Sequence, residues 1–213
     1  MKTSEKISKS LTIKDFCTVT KTYQLFQDFI NPYPQEEKTL DWIRQLGDKV
    51  IKPIEKKFGA SNFALTYGFC AKGLLTFLRT TNPKTGKPFG RIYEKVDQHM
   101  GEELNRNGKP YCKHPGIACD FYIKGVSSKD VLAWLLIDSN IPYDSIYYYG
   151  EDRPIHISYG VKQRKQAYRF TEKNTPVRIK AEEFEIKEVK KPVEIIPELE
   201  LETELLEKVK EGF

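Results

Sequence analysis

The chain has 213 residues, long enough for one domain with a full core, and its 39% hydrophobic, 31% charged and 12% aromatic content excludes a disordered or membrane-embedded class. The net charge is +5, but residues 181–213 hold eleven Glu and five Lys, a net of −6, so residues 1–180 carry +11. A basic body suits nucleic acid or another polyanion, and equally suits lysines scattered over a solvated surface.

The N-terminus is basic but leads into no continuous apolar stretch, and no segment approaches the ~20 apolar residues of a membrane helix, so a cytoplasmic protein with no membrane partner is expected. In that setting Cys17, Cys70, Cys112 and Cys119 are expected as free thiols. Residues 36–58 place apolar side chains at helical spacing, with acids in front and lysines behind, which predicts an amphipathic helix kinked near Pro53 and ended by Gly59. Residues 62–67 read as a strand. Residues 80–115 are rich in Gly, Pro, Asn and Lys and read as surface loops around a short helix at 91–104.

A second strand is predicted at 117–123 and a capped, largely buried helix at 125–137. Strands at 145–149 and 155–159 flank the turn 150–154, a hairpin with a loop placed for function. After about Arg169 the pattern dissolves. The expected organisation is one α+β domain over residues 1–170, a small antiparallel sheet flanked by helices. A charged linker and irregular acidic tail follow over 171–213, with a short amphipathic run at 199–209 that suits a protein partner.

Chemistry-bearing residues gather near the strand ends. Alternation along strands puts Asp120 on one face with Ala118, and His156 on one face with Ser158, leaving Ile155 and Ile157 for the core. Two imidazoles and a carboxylate, His114, Asp120 and His156, form a three-ligand set that leaves zinc an open position, with Glu151 in the neighbouring turn as general base and Asp152 as the alternative. His99 competes with His114 for its place. A structural zinc knuckle of Cys112, His114 and Cys119 is opposed by alternation, which points Cys119 and Asp120 to opposite faces. Tyr143, the run Tyr147–Tyr149 and Tyr159 offer either a stacking platform or ordinary aromatic strand residues.

His114 followed by Gly116-Ile-Ala118-Cys-Asp120, and then Pro154-Ile-His156-Ile-Ser158, resembles the zinc D-Ala-D-Ala carboxypeptidase family, which includes phage endolysin peptidases and shares the Hedgehog-type fold. The likeness covers about residues 10–160. It implies a Hedgehog/DD-peptidase-like fold, a zinc ion and hydrolysis of an amide bond in a D-amino-acid-containing cell-wall peptide, with peptidoglycan fragments as partners and release at phage lysis as a route to the wall. Three departures stand out. One residue fewer separates His114 from Gly116 than the family spacing has. The family's Ser-Gly-Tyr-Arg-Ser segment appears as Tyr67-Gly68-Phe69-Cys70-Ala71, so Cys70 replaces an Arg for which Arg153 or Lys72 are the substitutes in view. Gln98-His99-Met100 also looks like the family's Ser-Gln-His-Met segment, with no Asp close behind it. The alternative function is a catalytically altered relative acting as a cytoplasmic binding protein for nucleic acid or another polyanion.

Overall fold

The computed structural model describes residues 2–171, 173 and 175–180; the acidic tail and its expected short helix lie outside these. Six helices and six strands alternate in an α+β arrangement. In chain order they are α1 (Ile13–Thr18), α2 (Lys21–Phe26), α3 (Glu37–Leu46), α4 (Lys52–Phe58), β1 (Phe63–Tyr67), α5 (Lys72–Leu78), β2 (Gly116–Ile123), α6 (Ser128–Ile137), β3 (Ser145–Tyr148), β4 (Ile155–Gly160), β5 (Gln166–Phe170) and β6 (Pro176–Ile179).

The helix expected over 36–58 is two helices, α3 and α4, joined by a single π turn at Gly47–Ile51. Pro53 comes just after that π turn, so the irregularity in the helix falls close to the expected position. The turn begins at Gly47, which keeps helical angles and packs against Ile7 so closely that a Cβ would meet the Ile7 carbonyl oxygen at 2.5 Å. The helix expected at 91–104 is a run of turns. Ser127 caps α6 by accepting the Asp130 amide, as its sequence suggests.

The strands form one sheet in the order β1-β2-β4-β3-β5-β6. It is mixed rather than antiparallel: β5 lies parallel to β3, and β6 then turns back antiparallel to β5. Sheet structure therefore continues to Ile179, past the boundary expected at residue 170.

The pleat divides the sheet by chemistry. One face carries Ile117, Cys119 and Phe121 of β2, Ile155 and Ile157 of β4 and Ile146 of β3, all fully buried, with α3 packed across β2 and β4 and α6 against β2. Burying an aliphatic side chain of this size contributes about 1.5–3 kcal/mol, so this layer fixes the register. The opposite face carries an unbroken cross-strand row: Tyr67, Asp120, His156, Tyr147, Tyr168 and Arg178 stand directly opposite one another from β1 to β6. A one-residue slip of β4 would put Ile155 or Ile157 in the place of His156. No helix of the described residues is long and apolar enough to cross a membrane.

Candidate metal centre

Alternation delivers Asp120 and His156 to the polar face as neighbours, with His156 Nδ1 2.8 Å from Asp120 Oδ1. The third member is His99, whose Nε2 lies 3.3 Å from the same oxygen. Among the described residues, His99, Asp120 and His156 are the one group of three or more such side chains whose ligand atoms all fall within 4.8 Å of one another.

His99 comes from a loop, and a set of anchors holds it. Its backbone carbonyl accepts the Cys70 amide at 2.9 Å, and its own amide donates to Asp97 Oδ1 at 3.4 Å. Gln98 adopts a left-handed φ of 62°, Met100 is fully buried, and Gly101, at φ 58°, presses on Thr39 of α3. The buried Glu103 side chain accepts the amides of Gln35 and Glu36 at 3.0 Å each at the entry to α3. His99 Nδ1 lies 2.9 Å from the Gly68 carbonyl oxygen, which can only accept. The proton on Nδ1 is thereby held in place and Nε2 is the nitrogen turned to Asp120, where an ion would replace the proton it shares with the carboxylate, the arrangement by which proteins orient a metal-binding imidazole. Gly68 itself is required, because a Cβ there would collide with the Phe16 carbonyl.

The donor set fits a metal ion. A tetrahedral ion with bonds of about 2.0–2.1 Å needs donors about 3.3 Å apart, close to the 2.8 and 3.3 Å spacings around Asp120. The His156 ring is held in place by stacking on Tyr147 at 4.5 Å and 12°. Burial alone would raise the Asp120 pKa, but the charge of His99 and the hydrogen bond with His156 outweigh it and hold the carboxyl well below its ordinary range. Burial likewise works against a charged His99, yet Asp120, with Asp97 behind it, brings its pKa up to about 9. Two buried imidazoles around one half-buried carboxylate form a site that a divalent cation can take over.

The centre opens into a cleft of roughly 640 Å³. Tyr67, Tyr147 and Tyr149 wall it near the metal ligands, Tyr168 and Phe170 continue that wall along β5, and Arg91, Lys113 and Arg164 supply positive charge. The Tyr67 hydroxyl is buried beside the Cys70 thiol, and the Tyr67 ring meets that of His99 edge-on at 4.7 Å.

Several expected site residues stand elsewhere. His114 lines the cleft but faces Arg164, whose Nη1 is 3.3 Å from His114 Nε2, so His99 takes the place expected for His114 beside Asp120. Glu151 and Arg153 belong to the solvent-facing β3–β4 turn outside the cleft lining. Glu151 is 60% exposed and 4.0 Å from Lys129, and the carbonyls of Glu151 and Arg153 hold the start of α6 by accepting from the Ser128 amide and hydroxyl. Asp152 is likewise an exposed turn residue. Lys72 is bound to Glu103 and Gln35, and Cys70 is a buried thiol pushed up to about 12 by desolvation. Cys119 faces the apolar core, and Cys112 Sγ accepts the His114 amide, so no thiolate joins the metal group. Of the tyrosines, Tyr147 and Tyr149 face the cleft while Tyr143 and Tyr159 are buried.

The signal for His99 was Gln98-His99-Met100-Gly101 itself. Residues 102–115 leave the site and return to it, bridged at Leu104 and Pro110 and tied back by the Tyr111 amide on the Glu103 carbonyl. The sequence distance between His99 and Asp120 therefore says little about their separation in space. Against known proteins, the chain matches no family model, no curated protein and no solved structure.

Proposed function

We propose that the cleft is the active site of a zinc-dependent hydrolase of the peptidase type, cutting an amide bond in a cell-wall peptide. The observation that carries this reading is the convergence of His99 Nε2, Asp120 Oδ1 and His156 Nδ1 at the floor of an open cleft, with the far nitrogen of His99 committed to the Gly68 carbonyl. Two imidazoles and a carboxylate are the donor chemistry of catalytic rather than structural zinc, which keeps a coordination position open.

Bound there, zinc supplies Lewis acidity toward a carbonyl and a water made acidic near pH ~7. His99, Asp120 and His156 would hold the ion, and the aromatic wall of Tyr147 and Tyr149 would exclude water from one side of a bound substrate. Asp97 is the remaining carboxylate on the cleft wall; one of its oxygens accepts the Tyr93 amide at 2.6 Å and the other accepts the His99 amide at a longer 3.4 Å. Among the carboxylates it is the one on the cleft wall beside His99, and so the candidate general base in place of Glu151, which lies in an exposed turn outside the cleft lining.

A second reading is favoured by the pairing of aromatic rings with Arg91, Lys113 and Arg164 in one cleft, which suits a polyanion with flat faces such as single-stranded nucleic acid. One experiment separates the two: the purified protein is assayed for zinc content, for digestion of peptidoglycan and for nucleic-acid affinity across salt. One zinc per chain with released peptide fragments supports the hydrolase. Zinc without digestion, together with steeply salt-dependent nucleic-acid binding, favours the binding protein; absence of zinc ends the hydrolase reading.

A further inference from the structure

A second constellation in the same cleft has no task in holding the metal. Asp144, at the entry to β3, is 1% exposed and is enclosed by Arg164. The Arg164 backbone amide and Nε donate to Asp144 Oδ1 at 3.1 and 3.0 Å, and Nη2 donates to Oδ2 at 2.8 Å. Nη1 donates to His114 Nε2 at 3.3 Å. Burial, and then the Arg164 charge, lower the His114 pKa, so the ring stays neutral and able to accept. The residues on either side, Gln163 and Lys165, both hold left-handed φ angles, 42° and 48°, a costly backbone for side chains of this kind.

Neutralising a buried carboxylate explains the Nε and Nη2 contacts. It does not explain why the guanidinium keeps a face on the cleft with 24% of the side chain exposed, or why a neutral imidazole is spent on Nη1. Of the five guanidinium N–H groups three are engaged, which leaves one on Nη1 and one on Nη2. The end of the fork, between Nη1 and Nη2, is the edge that takes both oxygens of a carboxylate side by side.

We infer that Arg164 is the anion clamp of this cleft, receiving a substrate carboxylate through Nη1 and Nη2, with Asp144 and His114 as positioning residues that fix the fork. The inference rests on the hydrolase reading only for the bond that is cut. The clamp stands apart from the reacting atoms. Gln166, two residues beyond Arg164, pairs with Ser145, one repeat of about 7 Å along the strands from the row that holds Asp120 and His156. The recognised carboxylate is thus separate from the carbonyl under attack, and Lys113 on the same wall adds long-range attraction.

The test compares an N-acetylated dipeptide acid with its C-terminal amide, titrated calorimetrically into the zinc-loaded and the zinc-free protein, with hydrolysis of each followed in parallel. The acid is expected to bind at least about tenfold more tightly than the amide in both forms, a factor within reach of one charge-assisted bidentate pair. Arg164→Gln is expected to bring that ratio below about twofold with zinc content and binding of the amide unchanged. Arg164→Lys keeps the charge beside Asp144, so it guards against a folding defect, and is expected to retain only a few-fold preference. An unchanged acid preference in Arg164→Gln or Arg164→Lys, or none in the wild type, overturns the clamp. Inorganic phosphate competing more tightly than the acid through Arg164 overturns the carboxylate assignment. Acid preference without hydrolysis leaves the clamp standing and counts against the hydrolase.

Discussion

Two histidine–carboxylate clusters share one cleft, and they have opposite characters. Around Asp120 the partners are two imidazoles that converge on one oxygen. Around Asp144 the partner is a guanidinium that satisfies both oxygens and hands its remaining terminal nitrogen to His114. The first cluster gains most from a cation and the second excludes one, since Arg164 already occupies the position a metal would take beside Asp144. A histidine near an aspartate does not define a metal site; the third group decides.

Variants can break this contrast, and metal itself should have the largest effect. At a zinc concentration a thousandfold above Kd the folded state gains about 4 kcal/mol, so a strong chelator should lower the Tm by many degrees, and should leave an Asp120→Ala protein unmoved. Equal chelator shifts in both proteins would break the assignment.

Next comes the Asp144 pair. Asp144→Asn leaves Arg164 facing a neutral partner and should cost about 3 kcal/mol in urea melts near neutral pH. Burial would raise the Asp144 pKa, but the hydrogen bonds from Arg164 outweigh it and the value is lowered. A lowered carboxyl pKa stabilises above the unfolded value, about 3.9, and that stability is lost as pH falls through the folded value. The gap between wild type and Asp144→Asn should therefore close progressively below about pH 4. A gap independent of pH would show that the charge is not what Asp144 contributes.

A smaller effect of opposite sign is expected at Tyr67. Its buried hydroxyl has only the Cys70 thiol, a weak partner outside good hydrogen-bond geometry, beside it, so Tyr67→Phe should stabilise the metal-free protein by up to about 1 kcal/mol. A loss of stability would mean that the hydroxyl is hydrogen-bonded after all. The smallest effect belongs to Glu151→Gln, an exposed turn substitution expected to change stability by less than about 0.5 kcal/mol and to leave peptidoglycan digestion unaltered. A severe loss of digestion would restore Glu151 to the reaction.

The contrast also marks what the sequence could reveal. Asp120 and His156 were legible because strand alternation with isoleucine neighbours leaves each one face to occupy, and the core, α6 and four of the six strands followed from the same periodicity. His99 was harder to find because it sits in a loop between turn-rich segments, where no periodicity operates. Lengthening such a loop is also cheap, about 0.6 kcal/mol per doubling, so spacing to Asp120 was a poor reason to prefer His114. Glu151 was misleading for the opposite reason. It is near His156 in sequence, but the hairpin turn carries it to solvent. Arg164 gave no local signal, since its meaning comes from Asp144, twenty residues earlier. The parallel placement of β5 beside β3, and β6 beyond it, depends on pairing that the short polar stretch 166–179 does not announce.

The most direct test is zinc stoichiometry by elemental analysis on purified His99→Ala and His114→Ala proteins side by side, with Tm confirming that each is folded. The structure predicts that His99→Ala loses zinc and that His114→Ala keeps one zinc per chain. Zinc retained in His99→Ala and lost in His114→Ala would contradict the centre described here.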